Sequence, residues 1–270
     1  MADAVMGGAR AAAGGRSKLY LWLAWACLAV AVVGFLPTYF VPLAQARFAA
    51  PPIIHIHGLI LFSWTAFFVF QSWLAAEGKV ADHRAWGVVG VALITAMVFI
   101  VTAVVSMRIR QATAPGVPAA VTHGVKAFAW VSISSLLLIV PAFILAIVYV
   151  KRPEIHKRLL LLLTVSLLGA PIARWFLTFA APPPDPNAPP MPPGIPEIAA
   201  PPPMVAVAPA LIGDILILIA MAYDWRTRGR PHPVFLIGGA ILLLQQLTQP
   251  QIAETPAWLA VAGWIGKMAG

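Results

Sequence analysis

The chain has 270 residues, 61% of them hydrophobic and 10% charged, well below the roughly one quarter of charged residues usual in water-soluble domains. That balance excludes a soluble enzyme and requires lipid as solvent; at about 20 residues per span, the length accommodates one membrane domain of six to eight helices. The formal charge of +9 does not point to nucleic acid, because the basic residues sit in short clusters between apolar runs, where they orient helices in a bilayer.

After a tail at 1–18, apolar segments run at about 19–42, 53–76, 85–107, 121–150, 158–180, 205–223 and 233–248, which predicts about seven transmembrane helices and an all-α integral membrane fold. Ala44-Gln45-Ala46 mimics a cleavage site, but the run before it is long for a signal peptide and is read as a retained span. The single cysteine, Cys27, lies in that run, which excludes an internal disulfide and any CxxC site. Pro141 and Pro171 fall within spans, where each removes a backbone donor and is expected to kink its helix. Residues 181–204 are half proline and predict an extended strap on the outer face, read as a linker ahead of a docking element for a membrane-complex partner. Residues 205–270 hold the C-terminal helices, and Thr255–Gly270, with Trp258, Trp264 and Lys267, reads as an interfacial helix.

Twelve Lys and Arg collect on one side, in the tail and the turns near 79–84, 151–158 and 226–230, against six on the other. The excess predicts a cytoplasmic N-terminus in a bacterial inner membrane.

The second and fourth spans share a pattern, HGxxxF[SA]W, running from His57 to Trp64 and from His123 to Trp130. Each is followed by a turn with an acid, a His and a base: Asp82-His83-Arg84 and Glu154-Ile155-His156-Lys157-Arg158. Residues 50–180 therefore read as a parallel duplication of a helix pair forming a four-helix core. The duplication predicts His57 and His123 at equivalent depth near the outer face, and His83 and His156 near the cytoplasmic face. Trp64 and Trp130 lie two turns after their His on nearly the same helix face, and the Gly beside each His leaves room for a close neighbour. Histidine in a membrane is costly without a partner, which favours a functional reading over ordinary helix packing.

Four His on four consecutive spans, paired second with fourth and third with fifth, resemble the ascorbate-reducible transmembrane cytochromes b, whose four-helix core holds two b-type haems by bis-histidine ligation. The resemblance covers residues 50–180 and implies haem ligation by His57 with His123 and by His83 with His156. His57 to His83 spans 26 residues and His123 to His156 spans 33, so the spacing favours the outer pair over the inner pair. No ascorbate-site motif is matched, and the seventh span is absent from that family. Nearly the whole chain also resembles a group of uncharacterised bacterial polytopic membrane proteins that share an HxH start, HR and HKR turns and a YDxxTRGRxHP turn, here Tyr223 to Pro233. That likeness implies no activity, but it gathers His232 and Asp224 with His83, Asp82, His156 and Glu154.

Three further sites follow from the residues. His55 with His57 and His123 could form a three-His copper or zinc site if residues 53–57 were extended, although a headgroup-level His55 is the simpler reading. Asp214 and Arg174, at comparable depths in the sixth and fifth spans, predict a buried ion pair. Lys126 could meet a haem propionate or snorkel to the interface. Hydrolytic and nucleotide motifs are absent. The leading expectation is a transmembrane electron carrier with haem b, exchanging electrons with a quinol or small reductant, which leaves membrane oxidoreductase activity open. The alternatives are a cofactor-free accessory protein of a membrane complex and a His-based metal-ion carrier.

Overall fold

A computed structural model describes residues 18–180 and 198–268. The tail with Arg10 and Arg16 and most of the proline-rich strap, 181–197, lie outside the described residues. Among the described residues seven helices are long and apolar enough to cross a membrane: α1 (Leu19–Ala44), α2 (Pro52–Ala76), α3 (Val80–Ala112), α4 (Ala119–Val148), α5 (Pro153–Ala180), α6 (Pro203–Arg228) and α7 (Pro233–Ala253). A shorter helix, α8 (Pro256–Lys267), follows. No strand occurs among the described residues, as expected where lipid supplies no partner for open backbone groups.

Proline sets most of the starts. It occupies the first turn of α2, α5, α7 and α8, where its missing N–H is no loss and its fixed φ favours the helix. Thr255 caps α8 through its side chain, accepting from the Trp258 N–H at 3.2 Å. The turn after α6 closes on Gly229, whose φ of 74° is the left-handed conformation that glycine adopts at helix C-termini.

Short connections join α2 to α3, α4 to α5 and α6 to α7 at one end of the bundle, where Lys79, Lys151, Arg152 and Arg230 gather; this is called the basic end below. At the opposite end α3 and α4, with 33 and 30 residues against 25 in α2, run on past their neighbours. There α8 folds back onto them, burying Trp258, Ala262 and Ile265 against Val105, Ile109, Val125 and Ala129. The expected interfacial helix is thus packed on protein along one side.

Two spans are interrupted near mid-length. In α5 the α-helical segment ends at Val165 and resumes at Gly169, two residues before Pro171, and in α6 it breaks at Asp214. Pro171 has no N–H to offer the preceding turn, which accounts for the first break. The breaks face each other through small residues: a Cβ on Gly169 would stand 3.4 Å from Ala210, and one on Gly213 3.4 Å from Leu168. Close approach of this kind is how helices associate without a hydrophobic driving force. Pro141, by contrast, sits inside a continuous α4.

Candidate functional site

At the basic end, the first turns of α3 and α5 bring His83 and His156 together, with ring centroids 6.1 Å apart and planes at 84°. Each ring is fixed by a backbone carbonyl of the helix before it. His156 Nδ1 lies 2.8 Å from the Ala146 carbonyl oxygen and His83 Nδ1 lies 3.3 Å from that of Gln71. A carbonyl can only accept, so both Nδ1 atoms carry the proton, and in a neutral imidazole Nε2 is then the free lone-pair nitrogen. Ala146 is among the last four residues of α4, whose carbonyls lack helical partners, so His156 also caps that helix.

Cavities flank the pair on both sides. One, of about 480 Å³, opens toward the basic end and is lined by Arg84, Lys151, Lys157 and Tyr20. The other, of about 240 Å³, is aromatic and apolar, lined by Trp64, Phe67, Phe68 and Phe143 with Gly87 and Gly90. His83, His156, Gln71 and Arg84 line both. Gly87, one turn after His83, has nothing within 4 Å of a Cβ built on it. Gln71 is buried, and its side-chain oxygen has no hydrogen-bond partner among the described residues, a state that costs about 1–3 kcal/mol unless something is bound there.

The other His pair is not brought together in the same way. His57 lines cavities with Arg174, whereas His123 is half exposed and its Nε2 lies 2.7 Å from the Glu254 carboxylate at the α7–α8 corner. Helix length explains the divergence. Fourteen residues separate His57 from Gln71, while twenty-three separate His123 from Ala146, the two carbonyls that meet the inner rings. Nine more residues amount to about 13 Å at 1.5 Å each. Once His83 and His156 are level, His57 sits deep in the bundle and His123 at its rim. The extra length of the fourth span displaces the outer pair and leaves the inner pair in register, the reverse of the expectation from spacing.

The two tryptophans part accordingly. Trp64 is buried, donates from Nε1 to Thr164 Oγ1 at 3.2 Å and lies edge-on to Phe143 in the cavity beside His83 and His156. Trp130 instead meets Trp258 of α8, ring centroids 4.9 Å apart. Lys126 lies on that side too, its carbonyl accepting from Trp258 Nε1.

His55 is held by Tyr39, whose hydroxyl is 2.9 Å from its Nδ1, and by the edge of Phe48. Residues 53–57 are helical, so the extended segment that a three-His site required does not form. No group of three His, Cys, Asp or Glu able to hold a metal ion occurs among the described residues. The expected Asp214–Arg174 ion pair is also not formed. Asp214 accepts from Gln246 Nε2 at 3.3 Å, while Arg174 stacks over Phe35 at 4.2 Å and donates to the Ala170 carbonyl at 3.0 Å. The helix breaks at Asp214 and ahead of Pro171 turn these side chains toward α7 and α1 respectively.

Several residues of the site carried no signal in the chain. Gln71 and Gly87 read as ordinary span residues, and Arg158, counted there among the orienting cations, is 1% exposed and paired with Asp224. The fold defines the class, a polytopic all-α membrane protein. Comparison with known protein families, with curated proteins and with solved structures finds no match to the chain.

Proposed function

We propose that the chain is a membrane haem protein that carries electrons, with one b-type haem held between His83 and His156. The observation that supports this most is the pair of imidazoles, each tied by Nδ1 to a carbonyl and each left with Nε2 as a ligand nitrogen. With metal–nitrogen bonds of about 2.0–2.1 Å, two imidazoles that hold one metal would have centroids no more than about 6.5 Å apart. The observed separation is 6.1 Å.

The donor set favours haem over a bare ion. Zinc takes three or four protein ligands, and here two are assembled; a porphyrin supplies the remaining four itself, and iron needs only axial ligands from the protein. The cavities match an amphipathic disc, with Lys151 and Lys157 lining one for carboxylates and Trp64, Phe67 and Phe143 lining the other for the apolar edge, and Arg84 shared between them. A bound haem would supply a one-electron couple. The protein's own groups would hold the imidazoles in one tautomer, exclude water on the aromatic side and neutralise negative charge at the basic end. The Lys and Arg excess supports reading that end as the cytoplasmic side of a bacterial inner membrane, and a quinol or small reductant is the electron partner of this reading.

Protein expressed with ample haem and purified in detergent should show a Soret band that shifts on reduction, with one haem per chain. His83→Ala and His156→Ala should each abolish it, and His57→Ala and His123→Ala should leave it. A protein without the band, or a band that survives loss of both inner His, would overturn the assignment.

A further inference from the structure

A third cavity, of about 230 Å³, lies at the far end of the bundle from the His83–His156 pair, between α1, α2 and α5. Its walls are aromatic and apolar, with Phe35, Tyr39, Phe48 and Phe62 prominent. Thr38, His57 and Arg174, from three helices, are among the residues that line it. Thr38 Oγ1 from α1 and His57 Nδ1 from α2 are buried and have no hydrogen-bond partner among the described residues, and Arg174 from α5 joins them with its guanidinium over Phe35. Thr38 lies in the π-helical turn Leu36–Phe40 that ends the regular part of α1, a local widening that often occurs at functional sites. Gly58, next to His57, lines the cavity and has nothing within 4 Å of a Cβ built on it.

We propose that this cavity binds the head of a lipophilic quinone. Buried polar atoms left unpaired are rare in folded proteins, and those that occur call for an explanation. Here they sit on two different helices around an apolar, ring-lined space. A flat ring carrying carbonyl acceptors at opposite edges can meet Thr38 and His57 at once while its faces pack on the Phe and Tyr rings. A fatty-acid carboxylate concentrates its acceptors at one point and would engage Arg174 alone. The site lies between three membrane-spanning helices, so a ligand with an isoprenoid tail would reach it from the bilayer without crossing water. The missing Cβ of Gly58 keeps the space open beside the His57 ring.

The site stands apart from the haem reading and gives it a place for a lipophilic electron partner, and binding can be measured with or without haem. The protein in nanodiscs is titrated with decylubiquinone, followed by quenching of tryptophan fluorescence, with oleate as the competing anionic lipid. Saturable one-to-one binding is expected, weakened at least tenfold by Gly58→Leu, which fills the cavity, and by Thr38→Val and His57→Phe, which remove the polar groups. The thermal midpoint of each variant reports whether it has folded, and the three variants occupy two helices, so misfolding of one leaves the others to decide. Undiminished binding in the folded variants, no saturable binding by the unaltered protein, or displacement by equimolar oleate would overturn the proposal. His83→Ala should bind the quinone normally. A missing Soret band with quinone binding intact defeats the haem assignment alone, and lost quinone binding with the band intact defeats this one alone.

Discussion

Arg158 of α5 grips Asp224 of α6 with both prongs of its guanidinium: Nε lies 2.9 Å from Oδ2, and Nη2 engages Oδ1. The side chains are 1% and 0% exposed. Nη1 reaches back to the Glu154 carboxylate at 2.6 Å, Arg228 adds a second contact to Glu154, and the His232 N–H meets Asp224 Oδ2 at 3.3 Å. Planar two-pronged pairing of this kind is specific to arginine, and it ties α5 and α6 together beside the His83–His156 site. Breaking a buried pair from one side leaves an uncompensated charge and costs about 3–5 kcal/mol, whereas replacing both partners with apolar residues is often neutral. Arg158→Met should therefore lower the thermal midpoint in detergent sharply, Arg158→Lys should recover little, and Arg158→Met with Asp224→Leu should recover most of it. Equal losses in the single and double variants would refute this account.

Glycines differ in what they permit. A Cβ on Gly34 of α1 would stand 2.6 Å from the Pro171 carbonyl oxygen of α5, a contact with backbone that cannot swing aside, so Gly34→Ala must push two spans apart. Overpacking of this kind costs about 1–3 kcal/mol. Gly58→Ala meets nothing within 4 Å and should leave stability unchanged. Thermal unfolding of the two variants side by side tests the contrast, and a destabilised Gly58→Ala with an unaffected Gly34→Ala would contradict it.

The bundle was legible in the chain because lipid makes one strong demand, about twenty apolar residues per span; six of the seven runs met it, and the short seventh, 233–248, proved to belong to a longer helix, Pro233–Ala253. Helix ends were less so: α3 begins at Val80 and ends at Ala112, outside its apolar run at both ends, and α8 packs on the far end around Ile109 and Ala112. The duplication drew attention to both His pairs and placed the emphasis on His57 and His123, whereas the rings that meet are those of His83 and His156. Matching motifs fixes register only locally, and the nine extra residues between His123 and the Ala146 carbonyl accumulate as depth that no motif records. Asp214 and Arg174 looked like partners because their depths matched; the interruptions at Asp214 and ahead of Pro171 rotated them apart. Arg158 looked like a topological cation because exposure and burial are indistinguishable in a basic cluster.

His232 gives the basic end a dependence on pH. Its Nδ1 accepts from the Val234 N–H at 3.2 Å and so caps α7, which requires that nitrogen to be unprotonated. Burial holds the imidazole below its ordinary value near 6.5, with the Arg158 charge lowering it further, the Arg228 charge acting the same way, and Asp224 and Glu154 partly opposing. A folded value below the unfolded one means that the unfolded chain binds more protons between the two, so this contribution is fully present above about pH 6.5 and is lost as pH falls through the folded value. The thermal midpoint should decline between pH 7 and pH 5. His232→Asn, which keeps a capping acceptor that does not titrate, should flatten that decline. An unchanged slope in the variant would assign the pH dependence elsewhere.

Gly87 and Gln71 separate a haem pocket from a mere contact between two imidazoles. Gly87 lies one turn beyond His83 on α3 and lines the aromatic cavity, and a Cβ there would meet nothing within 4 Å. If His83 and His156 only pack on each other, Gly87→Leu fills a void and is neutral or stabilising. If the cavity receives the apolar edge of a porphyrin, the same change should reduce haem content at least tenfold while the thermal midpoint of the haem-free protein stays within a few degrees. Gly239→Leu on α7, equally free of neighbours within 4 Å, serves as the control and should bind haem normally. Gln71→Leu removes the buried oxygen that lacks a partner, so the haem-free protein should gain stability, by about 1–3 kcal/mol, and the reduced and oxidised spectra should shift because the group lines both sides of the His pair. Pyridine haemochrome assay of the three variants decides between the readings: equal haem in Gly87→Leu and Gly239→Leu would leave the His83–His156 contact as packing alone.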